Sequence, residues 1–182
     1  GDELLIGQVV DTNSAWLGRT LGEDGIKVTQ ITSIQDDADQ ISRTVNEALA
    51  RVSIVLVTGG LGPTRDDITK HTLAELFGMR LVRDEQVYET VRRQLAVRGI
   101  AFNELNRGQA LVPDGCTVLP NRNGTAPGMW FERGGKILVS MPGVPFEMKA
   151  LVTDEVLPRL RTHFSLHANV HRTCLLYTSD AA

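Results

Sequence analysis

The sequence predicts an α/β domain: a mostly parallel sheet with helices on both faces and a β-hairpin near 129–141. Three observations carry this. Amphipathic helical patterns alternate with runs of β-branched residues, as in strands joined by right-handed crossovers. The run at 53–58, SIVLVT, is almost continuously apolar, as in a parallel strand buried on both faces. A glycine-rich loop follows that run directly and leads into another helix.

Taken in order, residues 13–24 read as a helix with Trp16, Leu17, Thr20 and Leu21 on one face and Gly25 as its stop. Residues 26–34 are rich in β-branched side chains and read as a strand. Asp36 or Asp37 caps the next helix, whose apolar stripe is Ile41, Val45, Ala48, Leu49 and Val52. Beyond the strand at 53–58 and its loop, Asp66 or Asp67 caps a helix that holds Leu73, Leu76 and Phe77 and closes at Gly78. Asp84 starts a further helix, with Val87, Val91 and Leu95 on its buried side and Gly99 at its end. A short helical piece covers 103–110. Residues 129–132 and 136–141 read as strands joined by Arg133-Gly134-Gly135, a hairpin-length turn. The last helix runs over 145–160, with Pro145 suited to its first turn. An α/β domain should offer a strand leading into Gly1, so the first strand is expected to be missing from the sequence. One domain is expected over 1–160, followed by a tail at 161–182. Within that tail, 174–182 resembles a translated sequencing adapter.

Composition narrows the function. The 182 residues are 42% hydrophobic and 23% charged, which excludes a wholly disordered or collagen-like chain. Nineteen Lys and Arg against 22 Asp and Glu leave a charge of −3, unlike a general nucleic-acid binder. No apolar run is long enough to span a bilayer, so no membrane partner is expected. Two cysteines, Cys116 and Cys174, form no disulfide framework, and the opening residues show no signal-peptide pattern. A cytoplasmic protein is the expectation.

Chemistry is expected at the loop after 53–58, because ligands of open α/β sheets bind beyond the carboxyl ends of the strands. Gly59, Gly60 and Gly62 allow positive φ and close approach of backbone N–H groups to a ligand. The helix that follows presents its positive end, which suits phosphate. Asp66 and Asp67 oppose a bare anion but suit a metal-bridged phosphate, since hard cations take oxygen ligands. A tight turn with a helix cap is the plain structural alternative. The loop is neither a Walker A loop nor a GxGxxG dinucleotide loop. There is no HExxH and no Cys/His cluster, so no structural zinc site is expected.

Motifs spread along the chain carry a resemblance. They are Gly1-Asp2-Glu3-Leu4-Leu5-x-Gly7, Asp11-Thr12-Asn13, Thr58-Gly59-Gly60-Leu61-Gly62-Pro63-Thr64-x-Asp66-Asp67, Gly124-Thr125-Ala126-Pro127-Gly128 and Pro142-Gly143-Val144-Pro145-x-Glu147-Met148. Together with Asn106-x-x-Gln109-Ala110-x-x-Pro113, this combination resembles the N-terminal domain of the CinA (competence/damage-inducible protein) family. The resemblance implies a molybdopterin-binding-like (MoaB/Mog) fold, in a superfamily that holds pterin or adenylylated pterin. It implies a nucleotide pyrophosphatase that hydrolyses the diphosphate of ADP-ribose, with a divalent metal ion, to AMP and ribose 5-phosphate. A non-catalytic pterin- or nucleotide-binding module is the alternative. It also implies a homo-oligomer and, in the intact protein, a possible C-terminal deamidase domain.

Under this resemblance Asp67 and Asp36 are the catalytic acids, and Asp67, Asp2 and Asp36 are the metal ligands. Gly59, Gly60, Gly62, Thr64, Asn13, Gly124, Thr125, Pro142 and Gly143 are the expected ligand-binding residues. Plain roles stand beside these: a helix cap for Asp36 or Asn13, and a turn hydroxyl for Thr64. Glu147, Arg65, Arg107 and Arg122 are further candidates, the carboxylate for catalysis and the arginines for gripping phosphate.

Overall fold

The computed structural model describes residues 1–62 and 68–165, with the backbone alone at 104 and 105. The expected cap residues Asp66 and Asp67 and the tail from 166 onward lie outside the described residues.

The chain opens with a short helix, α1 (Asp2–Leu5), that the sequence reading lacked. The next helix, α2 (Thr12–Glu23), starts one residue earlier than predicted. Asp11 rather than Asn13 caps it, accepting from the Ser14 N–H at 2.9 Å. Asp37 caps α3 (Ala38–Arg51) through the Gln40 N–H at 2.8 Å, so Asp36 is not the cap. After β1 (Ile54–Thr58) comes α4 (Thr69–Leu76), with Ile68 at its N-cap position. The order continues with β2 (Leu81–Arg83), α5 (Glu85–Val97) capped by Asp84, and α6 (Glu104–Gly108) capped by Asn103. Then follow β3 (Leu111–Pro113), β4 (Thr117–Leu119), β5 (Gly128–Arg133) and β6 (Lys136–Met141).

The final helix begins as expected with Pro145, as α7 (Pro145–Leu151). It passes through a π-helical turn, Val152–Val156, and ends as α8 (Leu157–Phe164). Pro158 accounts for the interruption, because proline has no N–H to donate to the carbonyl four residues back.

The main sheet has the order β1-β6-β5-β4, and β2 and β3 form a separate antiparallel pair. Helices cover both faces, as predicted. Ile137, Val139 and Met141 alternate onto the face packed by Leu17 and Leu21 of α2 and by Met148, Leu151 and Leu160. Leu138, Met129 and Phe131 face Ile41, Val45 and Leu49 of α3 and Leu73 of α4. A smaller cluster places Val87, Val91 and Leu95 of α5 on Ala110 and Val112. The hairpin near 129–141 is present, its Gly134 and Gly135 both at positive φ (59° and 74°), as a tight two-residue turn requires.

The strand pairing is more mixed than the expected mostly parallel sheet. Among the described strands β1 and β6 pair in parallel, while β6–β5 and β5–β4 are antiparallel. The tight turn between β5 and β6 forces the first of these, since a parallel pair needs a long crossover. Residues 26–34, expected as a strand, form none. Val28 and Ile31 are exposed there, and β-branched propensity yields a strand only where a neighbour supplies the ladder. β1 therefore sits at the sheet edge, and its five residues are half-buried rather than buried on both faces.

Candidate functional site at the ends of β1 and β6

Because β1 and β6 are parallel, their carboxyl ends lie on the same side of the sheet. There the chain turns through Gly59 (φ 106°) and Gly60 (φ 66°), conformations open mainly to glycine. A Cβ on Gly60 would overlap the hydroxyl of Thr69, the first residue of α4. The Gly59 N–H donates to the Met141 carbonyl at 2.9 Å and extends the ladder by one step. Beyond Met141, buried Pro142 leads into exposed Gly143. A Cβ on Gly143 would sit 3.3 Å from the Gly59 Cα, so the two backbones touch with no side chain between them. Asn13, in the first turn of α2, donates its amide to the Gly143 carbonyl at 2.8 Å. Four of the expected ligand residues, Asn13, Gly59, Pro142 and Gly143, thus meet at the carboxyl ends of β1 and β6, the end of a parallel pair where ligands of open α/β sheets bind.

The loop between β4 and β5 packs on the first turn of α7, the helix that follows Gly143. Asn121, 5% exposed, organises it. Its Oδ1 accepts from the N–H groups of Asn123 and Gly124, both at 3.0 Å. Its Nδ2 donates to the Ala126 carbonyl at 2.9 Å and to Glu147 Oε2 at 2.7 Å. A Cβ on Gly124 would overlap the Glu147 carboxylate, so this loop lies directly on the first turn of α7. From α5, Gln94 donates to the Asn121 carbonyl at 3.1 Å, and Arg98, the residue that caps the end of α5, donates to the Asn123 carbonyl at 3.0 Å. Gly124 is buried and Thr125 half-buried. The amides of Gly59 and Gly124, expected as ligand donors, are both already engaged within the protein.

The acids are arranged otherwise. Asp2 and Asp36 are exposed. Asp36 Oδ2 lies 3.3 Å from where a Cβ on Gly1 would be, and the Gly1 ammonium donates to the Ile34 carbonyl at 3.1 Å. Asp36 is therefore a neighbour of the turn that carries Asp2. Asp67 and Thr64 lie outside the described residues, as does Arg65; Gly62 is half-buried at the end of the described loop. Among the described residues no group of three or more His, Cys, Asp and Glu side chains is placed to hold a metal ion. The described acids alone do not supply the donor set that a divalent cation needs.

Sequence reasoning missed Asn121, Gln94, Arg98 and Lys70. Lys70 is 8% exposed, unusual for lysine, and donates to the Gly108 carbonyl at 2.8 Å, tying α4 to the end of α6. The signal for Asn121 was available: an asparagine two residues ahead of Asn-Gly is suited to folding a turn on its own backbone. Arg107 lies over the Phe102 ring at 5.9 Å.

This geometry defines a class: an α/β domain of the molybdopterin-binding type, with two glycine turns meeting at the ends of a parallel strand pair. The family model described as "Probable molybdopterin binding domain" matches residues 1–162. A CinA-like protein of Cytophaga hutchinsonii is 47% identical over 172 residues, covering 94% of this chain and 41% of the relative. The crystal structure of the protein CinA from Thermoplasma acidophilum superposes with a TM-score of 0.77 at 36% identity, covering 84% of this chain and 89% of that one. MoaB of Thermus thermophilus, at 18% identity and a TM-score of 0.59 over 93% of this chain and 94% of its own, shares the fold. The chain belongs to the CinA family, as a molybdopterin-binding-like domain. It spans about two fifths of the length of the curated relative from Cytophaga.

Proposed function

We propose that this domain binds a nucleoside diphosphate sugar such as ADP-ribose at the ends of β1 and β6 and hydrolyses its diphosphate. The observation that carries the reading is the bare contact of Gly59 with Gly143 where β1 and β6 end. Around the Cβ position of Gly59 nothing lies within 4 Å, so a phosphate oxygen can approach that strand end without meeting a side chain. Asn13, fixed on the Gly143 carbonyl, would orient the nucleoside end. In the reaction water adds to one phosphorus and the bridging P–O bond breaks. AMP and ribose 5-phosphate leave, with a proton released to solvent. Asp67 and Asp36 are the acids proposed for the attacking water, and a divalent cation on Asp67, Asp2 and Asp36 belongs to the same proposal. The described residues do not by themselves assemble that ligand set, so no step is assigned to the ion.

A cytoplasmic location, assembly into a homo-oligomer and a deamidase domain elsewhere in the intact protein complete the reading. Among the described residues no helix is long and apolar enough to cross a membrane. The test is incubation of the folded chain with ADP-ribose and magnesium, manganese or cobalt, followed by chromatography. AMP is expected to accumulate with at least one metal. ADP-ribose recovered intact with every metal removes the hydrolase. Binding without turnover leaves a nucleotide-holding module in its place.

A further inference from the structure

We propose that Asn121 is a positioning residue, which uses the Glu147 carboxylate to hold the loop at 121–127 in place on the first turn of α7, as one side of the nucleotide site. The role rests on the nucleotide reading given above, and it assigns a task to two side chains outside the glycine turns.

The bond pattern is what distinguishes Asn121 from an ordinary buried amide. Its oxygen folds the loop on itself through two backbone N–H groups. Its nitrogen bonds the far side of the loop and, across 26 residues of sequence, the first turn of α7. Both amide donors and both acceptor sites are thereby used. The bond to Glu147 is charge-assisted, the stronger kind. Gln94 of α5 and Arg98 at its C-terminal cap hold the same loop by its carbonyls. A core role alone would not require that link to a half-exposed carboxylate. The link joins the loop to the Gly143 turn, because α7 starts two residues after Gly143. A loop held this way is preorganised, and a ligand that touches it need not order it on binding.

The test is calorimetric titration of the full chain with ADP-ribose in magnesium buffer, with thermal unfolding measured in parallel. E147A removes the acceptor and should weaken binding about tenfold or more. Its Tm should stay within about 3 °C of wild type, since Glu147 is half-exposed. E147Q, whose amide oxygen accepts the same bond, should rescue binding. G124A puts a methyl where the carboxylate lies, and should weaken binding as E147A does. N121A should show the same loss; where it fails to fold, E147A and G124A carry the test. E147A binding like wild type would overturn the role alone. E147Q losing as much as E147A would also overturn it, because the charge rather than the bond would then matter. A folded wild-type chain that binds no ADP-ribose would overturn the nucleotide reading and this role with it.

Discussion

Cys116 and Asp36 show how far a residue's identity reaches without its surroundings. Among the described residues Cys116 is a free, half-buried thiol, and burial pushes its pKa up to about 11. A raised pKa keeps the thiol protonated at neutral pH, with only about one molecule in a thousand as thiolate at pH 8. In a C174S variant, Cys116 should therefore react with a disulfide reagent far more slowly than a free surface thiol, and faster as pH rises toward 11. Reaction at the surface rate at pH 8 would contradict the raised pKa that its partial burial gives. For Asp36, both a cap and a catalytic acid were legible in the sequence. The structure removes the cap by giving it to Asp37, and leaves Asp36 exposed beside Gly1.

At the scale of elements, local chemistry did most of the placing. The caps at Asp37, Asp84 and Asn103 all use a side-chain oxygen on an N–H three residues on. D37A should cost about 1 kcal/mol, read as a lower urea midpoint at unchanged m-value. An unchanged midpoint would mean that α3 is held by its packed stripe alone. Helix periodicity was legible because α2, α3 and α5 each bury one face. The strands β2, β3 and β4 escaped notice because each has three residues, too short for alternation to register. Residues 26–34 failed in the opposite sense: strong β composition with no ladder to join.

At the scale of the whole molecule, one ion pair ties distant parts together. Asp24, just past the end of α2, accepts from Arg161 Nε and Nη2 on α8 at 2.8 and 2.9 Å. The Asp24 side chain is 7% exposed and that of Arg161 49%. R161A leaves a buried carboxylate without its partner, and should cost about 2 kcal/mol, less than for a fully buried pair. The Arg92–Glu89 pair lies on the surface of α5, so R92A should leave the denaturation midpoint where it is. Equal effects from the two variants would show that Asp24 is better solvated than its burial indicates.

By itself, the sequence determined the longer helices α2, α3 and α5, the hairpin, the glycine turn after β1 and the family, because each rests on near neighbours in the chain. Caps, amphipathic stripes and positive-φ glycines act within a few residues, and so do the motifs that carry the resemblance. The tertiary structure decided which strands pair, and so which turn faces which. It set Gly59 against Gly143 and hung Asn13 on the same turn. It also joined Asn121 to Glu147 across 26 residues. Such contacts depend on chain segments far apart in sequence, where no local propensity acts and the packing of the whole sheet sets the distances.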